Sequence, residues 1–183
     1  VLVGSMNPEE GELRPQISDR LGLEVDIKSP TDPKVRSEIT RRVIRFRDDP
    51  DKFCNKFITE QEKLKNSIRS AKKIVKNVTI PNYIYDLIAR LVVKFGLKSQ
   101  RADLTLVRCS RALAAFEGQS EVTKEHVKRS MGLVIEHRLE GNEEEFASEY
   151  LGESFEEIWH KLQKDIDFDN PQSEVEPKNP ERY

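Results

Sequence analysis

Residues 5–23 read Ser5-Met6-Asn7-Pro8-Glu9-Glu10-Gly11-Glu12-Leu13-Arg14-Pro15-Gln16-Ile17-Ser18-Asp19-Arg20-Leu21-Gly22-Leu23, behind the apolar run Val1-Leu2-Val3. A short apolar run with turn residues behind it is the pattern of a buried parallel strand, which predicts a strand over residues 1–5. Asn7 stands at its end, Gly11 marks a turn, and Leu13 to Leu21 suits a short helix closing on Asp19-Arg20. A side-chain amide at a strand end can bind both an attacking water and a terminal phosphate, and an arginine can neutralise charge that develops on phosphate. Each residue also has a plainer reading. Asn7-Pro8 is a turn dipeptide, and Asp19 beside Arg20 is a surface pair worth little. Spacing alone does not choose between them.

Outward from this stretch the period changes twice. Leu23, Val25 and Ile27 alternate with Glu24, Asp26 and Lys28, which predicts a second strand. Ser29-Pro30-Thr31-Asp32-Pro33 is a break, and Asp32 before Pro33 is a helix start, a capping carboxylate followed by a residue that needs no N–H partner. Val35, Ile39, Val43 and Phe46 then share one helical face. After Asp48-Asp49-Pro50-Asp51, the series Phe53, Phe57, Gln61, Leu64, Ile68, Ala71, Val75 predicts one long helix over 51–76. Further helices are expected from Pro81 to Gly96, over Leu106 to Gly118, and from Thr123. Ser154-Phe155-Glu156-Glu157 reads as a capping box that starts a last helix near 154–166.

The expected architecture is therefore α+β but mostly α. Residues 1–30 are the end of an α/β domain, residues 31–140 a helical bundle, and residues 141–183 an acidic extension whose proline-containing end is a linker or disordered tail. A strand–helix–strand segment cannot bury both faces of a sheet alone, so the chain reads as the C-terminal piece of a longer protein, whereas a bundle of about 100 residues can sustain a core.

Composition bounds the function classes. Charged residues make up 35% and hydrophobic residues 36%, a soluble, charge-rich chain. The net charge of −2 hides an asymmetry: residues 34–76 hold 14 Lys/Arg against 6 Asp/Glu, and residues 140–183 hold 4 against 14. These are a basic solvated face and an acidic tail, or an electrostatic partner surface. Cys54 and Cys109 have no metal-type spacing and read as reduced, intracellular thiols buried as small hydrophobes. His126, His137 and His160 form no cluster with them, so no metal site is expected. No apolar run approaches bilayer length, and no basic–aromatic interleaving points to nucleic acid. A cytoplasmic location is expected.

Arg101-Ala102-Asp103-Leu104 opens a helix. A cation is poorly placed at that positive end of the helix dipole, and a nearby phosphate would remove the conflict. The plainer alternative pairs Arg101 with Asp103 or leaves it in solvent.

Together these stretches resemble the ATPase I subunit of magnesium chelatase, within the AAA+ superfamily. The resemblance rests on SMNPEEGELRPQISDRLGL (5–23), SQRADLTLVRCSRALAAFEG (99–118), and VTKEHV followed by HRL within 122–139. It implies an AAA+ α/β core end followed by a helical lid, with residues 51–76 as the long helix that displaces the lid in this branch. It also implies that Asn7 is the sensor-1 asparagine, Arg20 an arginine finger offered to the adjacent subunit, and Arg101 the sensor-2 arginine. The implied setting is a homo-oligomeric ring, a hexamer in the family, that uses ATP and Mg²⁺ and works with a D subunit and a large porphyrin-binding subunit to insert Mg²⁺ into protoporphyrin IX. The phosphate loop and paired acids that hold nucleotide and Mg²⁺ are missing from this sequence, so the chain alone is not expected to hydrolyse ATP. Two other readings stay open: a related AAA+ remodelling ATPase or D-like subunit with a protein client, and a non-enzymatic helical module whose basic face binds an acidic partner.

Overall fold

The structure is a computed structural model and describes residues 2–7, 11, 13–18, 20–139 and 144–169. Eight α-helices occur among them: α1 (Pro15–Ser18), α2 (Pro33–Asp48), α3 (Pro50–Asn55), α4 (Ile58–Ile74), α5 (Asn82–Lys94), α6 (Arg101–Phe116), α7 (Lys124–Val134) and α8 (Glu144–Asp169). Short 3₁₀ turns follow α4 (Val75–Asn77) and α7 (Glu136–Arg138). The mostly helical expectation holds.

Local chemistry sets several helix boundaries. The Asp32 carboxylate accepts the Lys34 N–H at 2.8 Å, with Pro33 at the first helical position. Asp49 does the same for Lys52 at 2.9 Å ahead of α3. Gly96 and Gly118 end α5 and α6 with φ of 66° and 73°, the left-handed conformation that glycine adopts without strain.

The core is built by α5 to α8. Ile84, Leu87, Ile88 and Leu91 of α5 meet Ala102, Leu106 and Ala114 of α6 and Val127, Met131 and Val134 of α7. Leu151, Phe155, Ile158 and Leu162 close it from α8 at three- and four-residue spacing. Small residues let α6 and α7 approach: Ser130 Oγ donates to the His126 carbonyl at 2.7 Å and lies 3.3 Å from Ser110 Oγ, both serines fully buried. A single parallel bridge, Thr79 with Glu121, ties the two inter-helix segments together.

Several expectations are corrected. Neither residues 2–5 nor residues 23–28 form a strand. Leu2 and Val3 are 83% and 88% exposed. A strand needs a neighbouring strand along its length; residues 23–28 have the single backbone bond from the Glu24 N–H to the Leu133 carbonyl, and no ladder forms among the described residues. The helix expected over 51–76 is broken at Lys56–Phe57. There the Lys56 and Phe57 N–H groups reach back only three residues, to Phe53 and Cys54 (3.2 and 2.9 Å). The turn brings Phe57 against Phe53 with the rings tilted and their centroids 5.1 Å apart, and Phe53 meets Phe46 edge-on at 5.8 Å. The face of α2 carrying Val35, Ile39, Val43 and Phe46 is not buried. Cys54 is exposed and Cys109 half-buried, and both are free thiols. The Ser154 capping box is absent: Ser154 is buried in mid-helix, because α8 begins ten residues earlier, at Glu144, and turns its 151–162 stripe into the core. The tail expected over 167–183 is corrected at its start, since α8 runs on to Asp169, and the rest of it lies outside the described residues.

Candidate functional site

The three residues singled out from the sequence occupy different kinds of structure. Arg101 is the first residue of α6 and is exposed; its N–H donates to Ser99 Oγ at 3.3 Å. Ser99 Oγ thus takes the first amide of α6, while the N-cap residue Gln100 makes no side-chain cap. Arg20 is exposed in the turn that closes α1, its N–H bonded to the Ile17 carbonyl at 2.9 Å. Asn7 is exposed in the extended segment 2–7.

The segment just after Arg20 is seated on the helical bundle. The Leu21 carbonyl accepts from Arg138 Nη2 at 2.7 Å, the Gly22 carbonyl from Arg138 Nη1 at 3.5 Å, and the Glu24 N–H donates to the Leu133 carbonyl at 3.0 Å. Gly22 lies close enough to α6 that a Cβ there would meet Thr105 Cγ2 at 3.5 Å. Thr105 is about one helical turn beyond Arg101. The structure thus joins the Arg20 segment to the helix that begins at Arg101.

Chemically, the junction and the start of α6 offer two exposed arginines, Arg20 and Arg101. That donor set suits phosphate oxygens. It does not suit a bare divalent cation: among the described residues no group of three or more His, Cys, Asp or Glu side chains is arranged to hold a metal. No helix among them is long and apolar enough to cross a membrane.

Arg138 escaped the residue-level reading. Its signal in the sequence, an arginine just past the end of a helix, is common. Its contact with a backbone 117 positions away has no local trace.

A second polar array sits at the α6–α7 turn. His126, 4% exposed, accepts the Thr123 N–H on Nδ1 at 2.9 Å and faces Glu117 Oε2 through Nε2 at 3.2 Å. Arg129 also pairs with Glu117, and this pairing, followed by the His126 contact, holds the Glu117 carboxyl below its ordinary range. The array has the form of a hydroxyl, an imidazole and a carboxylate in line, but Nδ1 is occupied by a backbone N–H, so it acts as a helix cap.

Known proteins fit this architecture. Residues 85–158 match the AAA lid domain family, which includes much of α8. The chain is 44% identical over 139 residues to the magnesium-chelatase subunit ChlI homolog of Methanocaldococcus jannaschii, covering 76% of this chain and 38% of that protein. It is 42% identical over 139 residues to the magnesium-chelatase 38 kDa subunit of Acidiphilium rubrum, covering 76% and 40%. It is 40% identical over 140 residues to the magnesium-chelatase subunit ChlI of Synechocystis sp., covering 76% and 39%. The chain therefore spans about two-fifths of the length of these curated relatives. With its lid bundle matched by the AAA lid domain family and this identity over three-quarters of its length, the chain is a ChlI-like AAA+ sequence.

Proposed function

We propose that this chain supplies the trans-acting and lid elements of an AAA+ ring in which ATP hydrolysis drives insertion of Mg²⁺ into protoporphyrin IX. In this reading residues 1–30 are the end of the α/β core, and the helices from Pro33 onward form the lid. Asn7 holds the attacking water in line, Arg20 reaches the γ-phosphate in the neighbouring subunit, and Arg101 contacts the nucleotide held by its own subunit. ATP supplies the phosphoryl chemistry when bound. The residues here orient the nucleophile and neutralise charge. The nucleotide's own Mg²⁺ takes its ligands from outside the described residues, and the inserted Mg²⁺ is substrate. The partners are further copies in a ring, expected to be a hexamer, a D-type subunit and a large porphyrin-binding subunit, and the setting is cytoplasmic.

The observation that supports this most is the junction between the Arg20 segment and the Arg101 helix. A finger and a lid arginine serve one cycle only if their carriers move together. The test is ATP turnover by the full-length, ring-assembled protein. Arg20→Ala should lower kcat by about 10³-fold or more while nucleotide binding persists. Mixing Arg20→Ala subunits with wild-type ones should lower turnover more steeply than their proportion. Normal turnover by Arg20→Ala rings would remove the finger role. Arg101→Ala and Asn7→Ala should each reduce kcat, and an unchanged rate in either returns that residue to its plainer reading.

A second reading, a helical module for an acidic partner, draws support from α2 and α4. Neither buries a residue, and apolar Val35, Ile39, Leu64 and Ile68 stay exposed among arginines and lysines. Binding of an acidic protein by this chain without nucleotide, weakened by salt, would favour it.

A further inference from the structure

Leu21 to Glu24 has no regular secondary structure, yet it is held from two sides. Arg138 does most of the holding. Its Nη2 donates to the Leu21 carbonyl at 2.7 Å, and its Nη1 reaches the Gly22 carbonyl at 3.5 Å. The same Nη1 donates to the Val134 carbonyl in the last turn of α7. One side chain therefore grips the end of α7 and the loop after α1 together. The guanidinium suits this because its donors point in fixed, divergent directions from one plane; a lysine offers a single compact centre. On the other side Gly22 lies beside Thr105 of α6, close enough that an added Cβ would touch its methyl group. Arg20 is the residue immediately before the first gripped carbonyl, and its own side chain is exposed.

We propose that Arg138 is a positioning residue for Arg20. It fixes the Arg20 segment to the end of α7, where Gly22 lies beside Thr105 of α6, so that movement of the packed α6–α7 pair carries Arg20 with it. A change at the nucleotide of one subunit is thereby delivered to the phosphate in its neighbour. The proposal rests on the finger role given to Arg20 above. Because the clamp closes on backbone carbonyls, loss of Arg138 removes both of its holds on the loop, leaves the Glu24–Leu133 bond as the remaining backbone tie, and changes no loop side chain.

The test uses the full-length, ring-assembled ATPase. Arg138→Ala should lower kcat by about 10- to 100-fold, the scale of a misplacement of about 1 Å. KM for ATP should change less than about twofold, since Arg138 touches no nucleotide. Arg138→Lys should recover only part of the loss. The double variant Arg20→Ala/Arg138→Ala should be no slower than Arg20→Ala, because the clamp has then nothing to position. Amide hydrogen exchange, which needs no turnover, should show protection of the Glu24 amide lost in Arg138→Ala while α5 to α7 stay protected. Normal kcat in Arg138→Ala beside an inactive Arg20→Ala would overturn the clamp and leave the finger standing. Normal kcat in Arg20→Ala would overturn both. Multiplicative losses in the double variant, or loss of protection throughout α5 to α7, would make Arg138 merely structural and overturn the proposal.

Discussion

His126 and Glu117 form the polar hinge of the bundle: Nε2 of the buried imidazole stands 3.2 Å from Oε2 of the carboxylate at the α6–α7 turn. Since Nδ1 accepts the Thr123 N–H, Nε2 carries the proton in the neutral ring and donates it to Glu117. The cap of α7 and the C-terminus of α6 are thereby one unit, to which Arg129 adds a charge.

This unit makes stability depend on acid. The Glu117 carboxyl is held low by Arg129 first and by His126 after it. A depressed folded value means that the contribution is complete above the ordinary glutamate range and is lost as pH falls through the lowered value. Melting temperature should therefore drop on going from pH 6 to below about 4, and Glu117→Gln should show a shallower drop. Thermal melts of both chains across that window check it, and superimposable pH profiles would refute it.

Phe155 is fully buried in α8 and packs on α5 and α7 from outside the first three core helices. Phe155→Ala should cost about 3–5 kcal/mol. Urea unfolding measures this. A cost under about 1 kcal/mol would mean that α8 does not share the core.

Gly118 has φ of 73°, and nothing lies within 4 Å of a Cβ built there. The penalty of Gly118→Ala is therefore conformational, about 1–2 kcal/mol, and Gly118→Asn should lose less because Asn tolerates this region. Equal stabilities of the alanine and asparagine variants in denaturant titrations would contradict the left-handed cap.

Cys54 is exposed beside the Lys56–Phe57 break, whereas Cys109 is half-buried against the core. A thiol reagent should modify Cys54 much faster than Cys109 in the folded chain, and at matched rates only after unfolding. Mass spectrometry of partially labelled protein distinguishes them.

Much of the architecture was legible because helix signals are local. Asp32-Pro33, Asp49-Pro50, Gly96, Gly118 and Thr123 each act on atoms within a few residues, and each stands where its type predicts. Legibility ended where an outcome depends on what lies across the gap. The apolar face of α2 reads as a core face by period, yet among the described residues it meets only the edge of α3 at Phe46 and Phe53 and stays largely exposed. Ser154 reads as a cap by motif, yet burial of Leu151 and Phe155 carries the helix through it. Leu23, Val25 and Ile27 alternate like a strand, yet no described neighbour pairs with them.

The same division holds at the candidate site. Residue types and order determined, without coordinates, that Asn7, Arg20 and Arg101 have the chemistry of phosphate handling, because amide and guanidinium groups bring their donors wherever the chain puts them. Only the tertiary structure decided that the Arg20 loop rests on the Arg101 helix and that Arg138 holds it there. Those contacts join backbone carbonyls to a side chain more than a hundred positions away, and a carbonyl carries no residue identity for a sequence to display.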